Sequence, residues 1–121
     1  MDAREVYAAS LVWDDHCGFS PEPDEPLEPL LAPWREAGVG YLSVNVYFDP
    51  QPWEHAERTL ESLRRRLPTE APWCRLVSSV AEIDRARADG KLAVGFDIEG
   101  MNALDGRLEI CLLYTSDAAD E

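Results

Sequence analysis

Along the first 110 residues the hydrophobic positions switch between a period of two and a period near 3.6, which predicts strands alternating with helices. Val6 to Trp13 reads as a strand, and the GFSPEPDEP stretch after it is a loop whose prolines and acids forbid regular structure. Leu27, Leu30, Leu31 and Trp34 share one helical stripe that stops near Gly38 and Gly40, with Pro29 and Pro33 making its first turns irregular. Tyr41 to Phe48 predicts a second strand. Trp53 to Leu67 predicts a helix with Trp53, Ala56, Leu60, Leu63 and Leu67 three and four apart, ended by Pro68. Arg75 to Ser78 is a short strand, Ser79 and Glu82 form a capping box for a helix closing at Gly90, and Lys91 to Glu99 is a further strand. The predicted order is βαβαβαβ.

Strands separated by helices of this length imply crossover connections and a parallel sheet, in a doubly wound fold or a (βα)8 barrel. Side-chain parity favours the barrel. Leu92, Val94, Phe96 and Ile98 oppose Ala93, Gly95, Asp97 and Glu99, and Leu42, Val44, Val46 and Phe48 oppose Tyr41, Ser43, Asn45 and Tyr47. On the first strand Ser10, Val12, Asp14 and His16 oppose Leu11, Trp13 and Asp15. One face is large and apolar; the other turns polar towards the C-terminal ends. The first face is expected to pack on outer helices and the second to converge at a barrel mouth, where barrel enzymes keep their chemistry. A complete barrel needs about 250 residues, so the fold class expected is α/β, the N-terminal half of a (βα)8 TIM-type barrel.

Charge narrows the partners. With 24 acidic against 11 basic side chains in 121 residues, the formal charge is -13, which excludes a nucleic-acid partner on electrostatic grounds. The opening MDAREVYAAS lacks a basic region leading into an apolar one, and no run of eighteen apolar residues occurs, so no membrane partner and a cytoplasmic location are expected. Cys17, Cys74 and Cys111 match no zinc or disulfide spacing and read as inert thiols. The run CLLYTSDAADE from Cys111 to Glu121 resembles a translated sequencing adapter, a transposase mosaic end with primer tail, and is set apart from fold reasoning. The chain thus divides into 1–110, the partial barrel, and 111–121, a non-native tail, with the natural gene expected to continue past Ile110. Residues 1–110 keep 21 acids against 11 bases, so the acidic character survives this division.

The polar groups that converge at the strand ends are Asp14 and His16 after the first strand and Asp97 and Glu99 on the fourth. Imidazole with carboxylates suits a divalent metal such as zinc. The competing reading is a capped loop histidine at His16 and a Glu99 that satisfies backbone donors at a strand end.

VWDDHCGF near the start, together with GKLAVGFDIEGMNAL, resembles the membrane dipeptidase (renal dipeptidase-like) family of zinc metallopeptidases. The resemblance implies a (βα)8 barrel related to amidohydrolases, two Zn2+ ions in the complete enzyme, and hydrolysis of a dipeptide by a metal-activated water. By that match His16 is a metal ligand and Glu99 the carboxylate between the two ions, with Asp14 and Asp97 as substitute ligands or outer partners. The remaining family elements are expected after Ile110, so the truncated chain itself is expected to be inactive. The chain departs from the family at Gly18, where a second Asp ligand is expected, and at Met101-Asn102, where the family often has Gly-His. A metal-poor barrel relative that binds a ligand, or that hydrolyses another amide with one metal, is the alternative. A barrel using its loops for phosphate is a further alternative, although no Gly-rich phosphate loop precedes a helix. A homodimer of the complete protein stays open.

Other candidates carry less. Cys17 beside His16 suggests a Cys/His pair, but adjacent residues on an extended segment face opposite sides. His55 lies off the apolar stripe of its helix and is expected at the solvated surface. Arg64, Arg65 and Arg66 near a helix C-terminus are expected to complement its dipole.

Overall fold

The computed structural model describes residues 1–17 and 21–110. The expectations for Gly18 and for Cys111 to Glu121 lie outside the described residues. Helix α1 (Ala3–Ala9) precedes strand β1 (Trp13–Asp14), then follow α2 (Leu27–Glu36), β2 (Tyr41–Phe48), α3 (Trp53–Glu70), β3 (Cys74–Leu76), α4 (Val80–Ala88) and β4 (Leu92–Glu99). A single 3-10 turn, Asn102–Leu104, ends the series. The result is a mixed α/β fold on a four-stranded, all-parallel sheet.

The start of the chain differs from its predicted strand. Asp2 accepts hydrogen bonds from the N–H groups of Arg4 and Glu5, and the Glu5 carboxylate accepts from the Asp2 N–H, a complete capping box that begins a helix. Two of the helix's seven residues after that first turn are alanines, and none of the seven is buried, so local capping rather than packing decides its conformation. Only Trp13 and Asp14 remain as strand. Pro68 does not end α3 either: the helix carries it in its last turn, forgoing the one backbone bond that an N–H there would make to the Arg64 carbonyl, and runs on to Glu70. At α4 the expected box does not form, because Glu82 accepts from the N–H and hydroxyl of Ser78 rather than from the N–H of the N-cap residue Ser79, whose side chain makes no cap bond.

Strand order is β1-β2-β4-β3, so the first and fourth strands both flank β2 and the third lies at an edge. A consecutive half barrel would have placed β3 between β2 and β4. The two eight-residue strands instead pair with each other from Tyr41↔Ala93 to Asn45↔Asp97, and three-residue β3 reaches only Leu92 to Val94 of β4.

The apolar face behaves as its alternation predicts. Leu42, Val44, Val46, Leu92 and Val94 are buried with Leu27 and Leu31 of α2 and Leu60, Leu63 and Leu67 of α3. Burial of each such side chain contributes about 1.5–3 kcal/mol. The other face is not open along its length. Ala93, out of phase with Leu92 and Val94, is fully buried with Ile83 and Ala86 of α4, and Leu11, Tyr41 and Val77 pack on that group. Helix α4 therefore covers the lower part of the second face, opposite α2 and α3, leaving only its upper part polar.

A register shift between Asn45 and Phe48 breaks the alternation near the top of β2. It turns Tyr47 into a buried cluster with Trp53, Ala56 and Ile98 and leaves Phe48 40% exposed, reversing the sides expected for both.

Candidate metal-binding site

His16 is set in place by its neighbour. The Cys17 N–H donates to the Ser43 carbonyl at 3.1 Å, and the Asn45 N–H donates to Cys17 Sγ at 3.4 Å, which lays the segment after β1 along β2. Cys17 is 1% exposed among the apolar core residues, whereas His16, in the bend that precedes it, is exposed. His16 accordingly emerges on the polar side at the carboxyl ends of the strands. There Nδ1 lies 2.8 Å from Asp97 Oδ1 and Nε2 lies 3.6 Å from Glu99 Oε2. The structure thus brings His16, Asp97 and Glu99 together, although β2 separates the strands that carry them.

Electrostatics follow from this geometry. The hydrogen bond and charge of Asp97 hold the His16 imidazole above its ordinary value, helped by the charges of Glu99 and Asp14 and opposed by slight desolvation. Side-chain exposure grades the three groups, with Asp97 at 22%, His16 at 48% and Glu99 at 67%. Asp97 Oδ2 is buried and without a hydrogen-bond partner.

Asp14 is engaged elsewhere. Its Oδ2 accepts from the Trp34 indole N–H at 2.7 Å, so it fastens β1 to α2, and its Oδ1 accepts from the backbone N–H of His16 at 3.4 Å. Asp15 likewise accepts from the Trp13 indole.

Whether these residues suit a metal can be tested on their donors. Two ligands on one tetrahedral zinc with bonds of about 2.1 Å stand roughly 3.4 Å apart. His16 Nε2 and Glu99 Oε2, at 3.6 Å, fit as such a pair. No group of three or more His, Cys, Asp or Glu side chains able to hold a metal ion occurs among the described residues, so the pair is incomplete within them.

Sequence reasoning missed several residues around the site. Asp49, beyond β2, accepts from the Tyr47 hydroxyl at 2.7 Å, and its N–H donates to the Glu99 carbonyl. Its carboxylate lies against Gly100, where φ is +101°, a backbone conformation that favours glycine. Arg66 does not serve its own helix end. It pairs with Glu70 through two 2.6 Å bonds and donates to the carbonyls of Pro23 and Glu25, clamping the loop that returns from the site. A guanidinium has the fork geometry for this, a signal that only its position opposite a carbonyl-rich loop reveals. His55 is half-buried, with Nε2 buried and unpartnered, rather than solvated. The Cys74 thiol is pushed up to about 12 by burial and then by the charge of Glu28, which leaves it a protonated core side chain.

Comparison with known proteins adds the fold. The chain is similar to an amidohydrolase from Pseudomonas aeruginosa known from a crystal structure, with a TM-score of 0.75 and 16% identity over 96% of this chain and 35% of that one. The chain therefore spans about a third of that neighbour's length. No protein-family model and no curated protein matches the chain. No helix among the described residues is long and apolar enough to cross a membrane.

Proposed function

We propose that this chain is the N-terminal, metal-holding part of a metal-dependent amide hydrolase, and that the complete protein cleaves the peptide bond of dipeptides. The observation that carries this reading is the approach of His16 Nε2 to Glu99 Oε2 at the carboxyl ends of parallel strands, where folds of this kind place their ligands. The likeness to an amidohydrolase supports the amide-bond chemistry, and the VWDDHCGF and GKLAVGFDIEGMNAL segments support the dipeptide. On this reading β1, β2 and β4, which are neighbours in that order, are strands of a (βα)8 barrel whose other strands belong to the rest of the protein, and edge strand β3 lies outside that series.

His16 and Glu99 would hold a divalent ion, zinc being suited to imidazole with carboxylate, and the complete enzyme would hold two. A bound ion of this kind supplies Lewis acidity towards an amide carbonyl and acidifies a water. The chain's own residues do the rest. Cys17 anchors the segment that presents the imidazole, Asp14 fixes β1 on α2 through Trp34, and Arg66 binds the Pro23 and Glu25 carbonyls of the loop before α2. The strongly acidic surface leaves small molecules rather than nucleic acid as partners, in a cytoplasmic setting.

The test is hydrolysis of a panel of dipeptides by protein made from an uninterrupted reading frame, before and after chelation and on return of zinc. Activity lost to the chelator and restored by zinc is expected; hydrolysis indifferent to chelation would overturn the reading. A second reading, a metal-poor relative that binds a ligand or hydrolyses another amide with one ion, is favoured by the absence of a three-donor group among the described residues. Bound zinc per chain in the complete protein separates the two.

A further inference from the structure

We propose that Asp97 is the positioning residue of His16, holding its neutral imidazole in the Nδ1–H form so that the Nε2 lone pair faces Glu99. This rests on the metal-holding reading above for its purpose, though not for its geometry. Three carboxylates act on the ring, and two are disposed of by their contacts. Asp14 takes the Trp34 indole N–H, while Glu99 stands 3.6 Å from Nε2, beyond hydrogen-bond reach. Among the described residues only Asp97 bonds the ring, at 2.8 Å from Nδ1. A carboxylate accepts and cannot donate when ionised, so the shared proton belongs to Nδ1.

The placement of Asp97 makes it suited to this task. Its backbone lies inside the sheet, in register with Asn45 of β2, so the carboxylate stands on a rigid strand rather than on a loop. It is the least exposed of the three groups, which keeps its charge poorly screened where it meets the ring. A histidine whose second nitrogen is bonded to a carboxylate is oriented, and its free nitrogen becomes more basic towards a cation. In water the imidazole of histidine favours the opposite, Nε2–H form, so the tautomer reports the action of Asp97 directly.

The experiment is nitrogen-15 NMR of His16 in the full chain, at a pH where the ring is neutral, together with zinc affinity. Wild-type protein should show a pyrrole-type Nδ1 and a pyridine-type Nε2. Asp97→Ala should return the ring to the Nε2–H form and weaken zinc binding by about ten- to a hundred-fold. Asp97→Asn, whose amide oxygen still accepts, should keep the Nδ1–H form, and Asp14→Asn should leave the tautomer unchanged. A wild-type ring in the Nε2–H form overturns the proposal without any variant, as does an Asp97→Ala ring that stays Nδ1–H. If the wild-type chain shows the expected tautomer but the complete protein binds no zinc, the metal-holding reading fails while the role of Asp97 stands.

Discussion

Placing α4 against the second face of the sheet has a measurable cost when that face is enlarged. Ala93 is fully buried, Ala86 is fully buried and Ile83 is 4% exposed, so three further carbon atoms at Ala93 would press on the side chains that α4 packs against β4. Ala93→Leu would have to force side chains off their rotamers or push the helix outward, which costs about 1–3 kcal/mol. On an open face the same substitution would fall within about 0.5 kcal/mol of neutral. Urea unfolding followed by tryptophan fluorescence reads the difference. With a slope of about 1.5 kcal/mol/M, a loss of 2 kcal/mol lowers the midpoint by roughly 1.3 M. A midpoint within about 0.3 M of wild type, by the same slope, would show that α4 does not cover Ala93, and the description of the second face would have to be abandoned.

Other consequences are as direct. Leu31→Ala, at a fully buried position of α2, should cost about 2–5 kcal/mol in the same assay, more than Leu30→Ala on the edge of the core. Glu82 accepts from the Ser78 N–H and hydroxyl, which hold its carboxyl below the ordinary 4.5, so its stabilising effect is complete above that value and is lost as the pH falls through the depressed one. The stability gap between wild type and Glu82→Gln should therefore be present at neutral pH and close in acid; a constant gap would refute the assignment. Arg66→Lys cannot reproduce the two-pronged contact with Pro23, Glu25 and Glu70, and amide exchange at Glu25 should quicken while the sheet stays protected. In the complete protein Glu99→Gln should abolish dipeptide hydrolysis with the fold intact, whereas Asp14→Asn should act on stability through Trp34; the reverse order would exchange their roles.

Much of this architecture is legible because burial leaves a period. Tyr41 to Phe48 and Lys91 to Glu99 alternate cleanly, and the structure makes both strands, to the residue for β2 and within one residue for β4. The errors arise where a short-range bond outweighs the period. Val6 to Trp13 alternates well enough for a strand, but the reciprocal bonds of Asp2 and Glu5 draw its first half, Val6 to Ala9, into a helix. Strand order was hidden for another reason, since pairing depends on strand length and partner rather than on sequence distance, and three-residue β3 cannot displace β4 from β2. At the site, His16, Asp97 and Glu99 were visible as residue types at strand ends. Which carboxylate meets which nitrogen was not, because the division between Asp14 and Asp97 is set by the Trp34 indole, a residue that the pattern marks only as apolar.

The central claim is that His16 and Glu99 share one divalent ion. It is tested most directly by anomalous diffraction at the zinc edge from crystals of the complete protein grown with zinc. A peak within about 2.0–2.2 Å of both His16 Nε2 and a Glu99 carboxylate oxygen is the expected result. Zinc bound only at other residues, or a well-ordered His16 and Glu99 with no peak between them at saturating zinc, would contradict it.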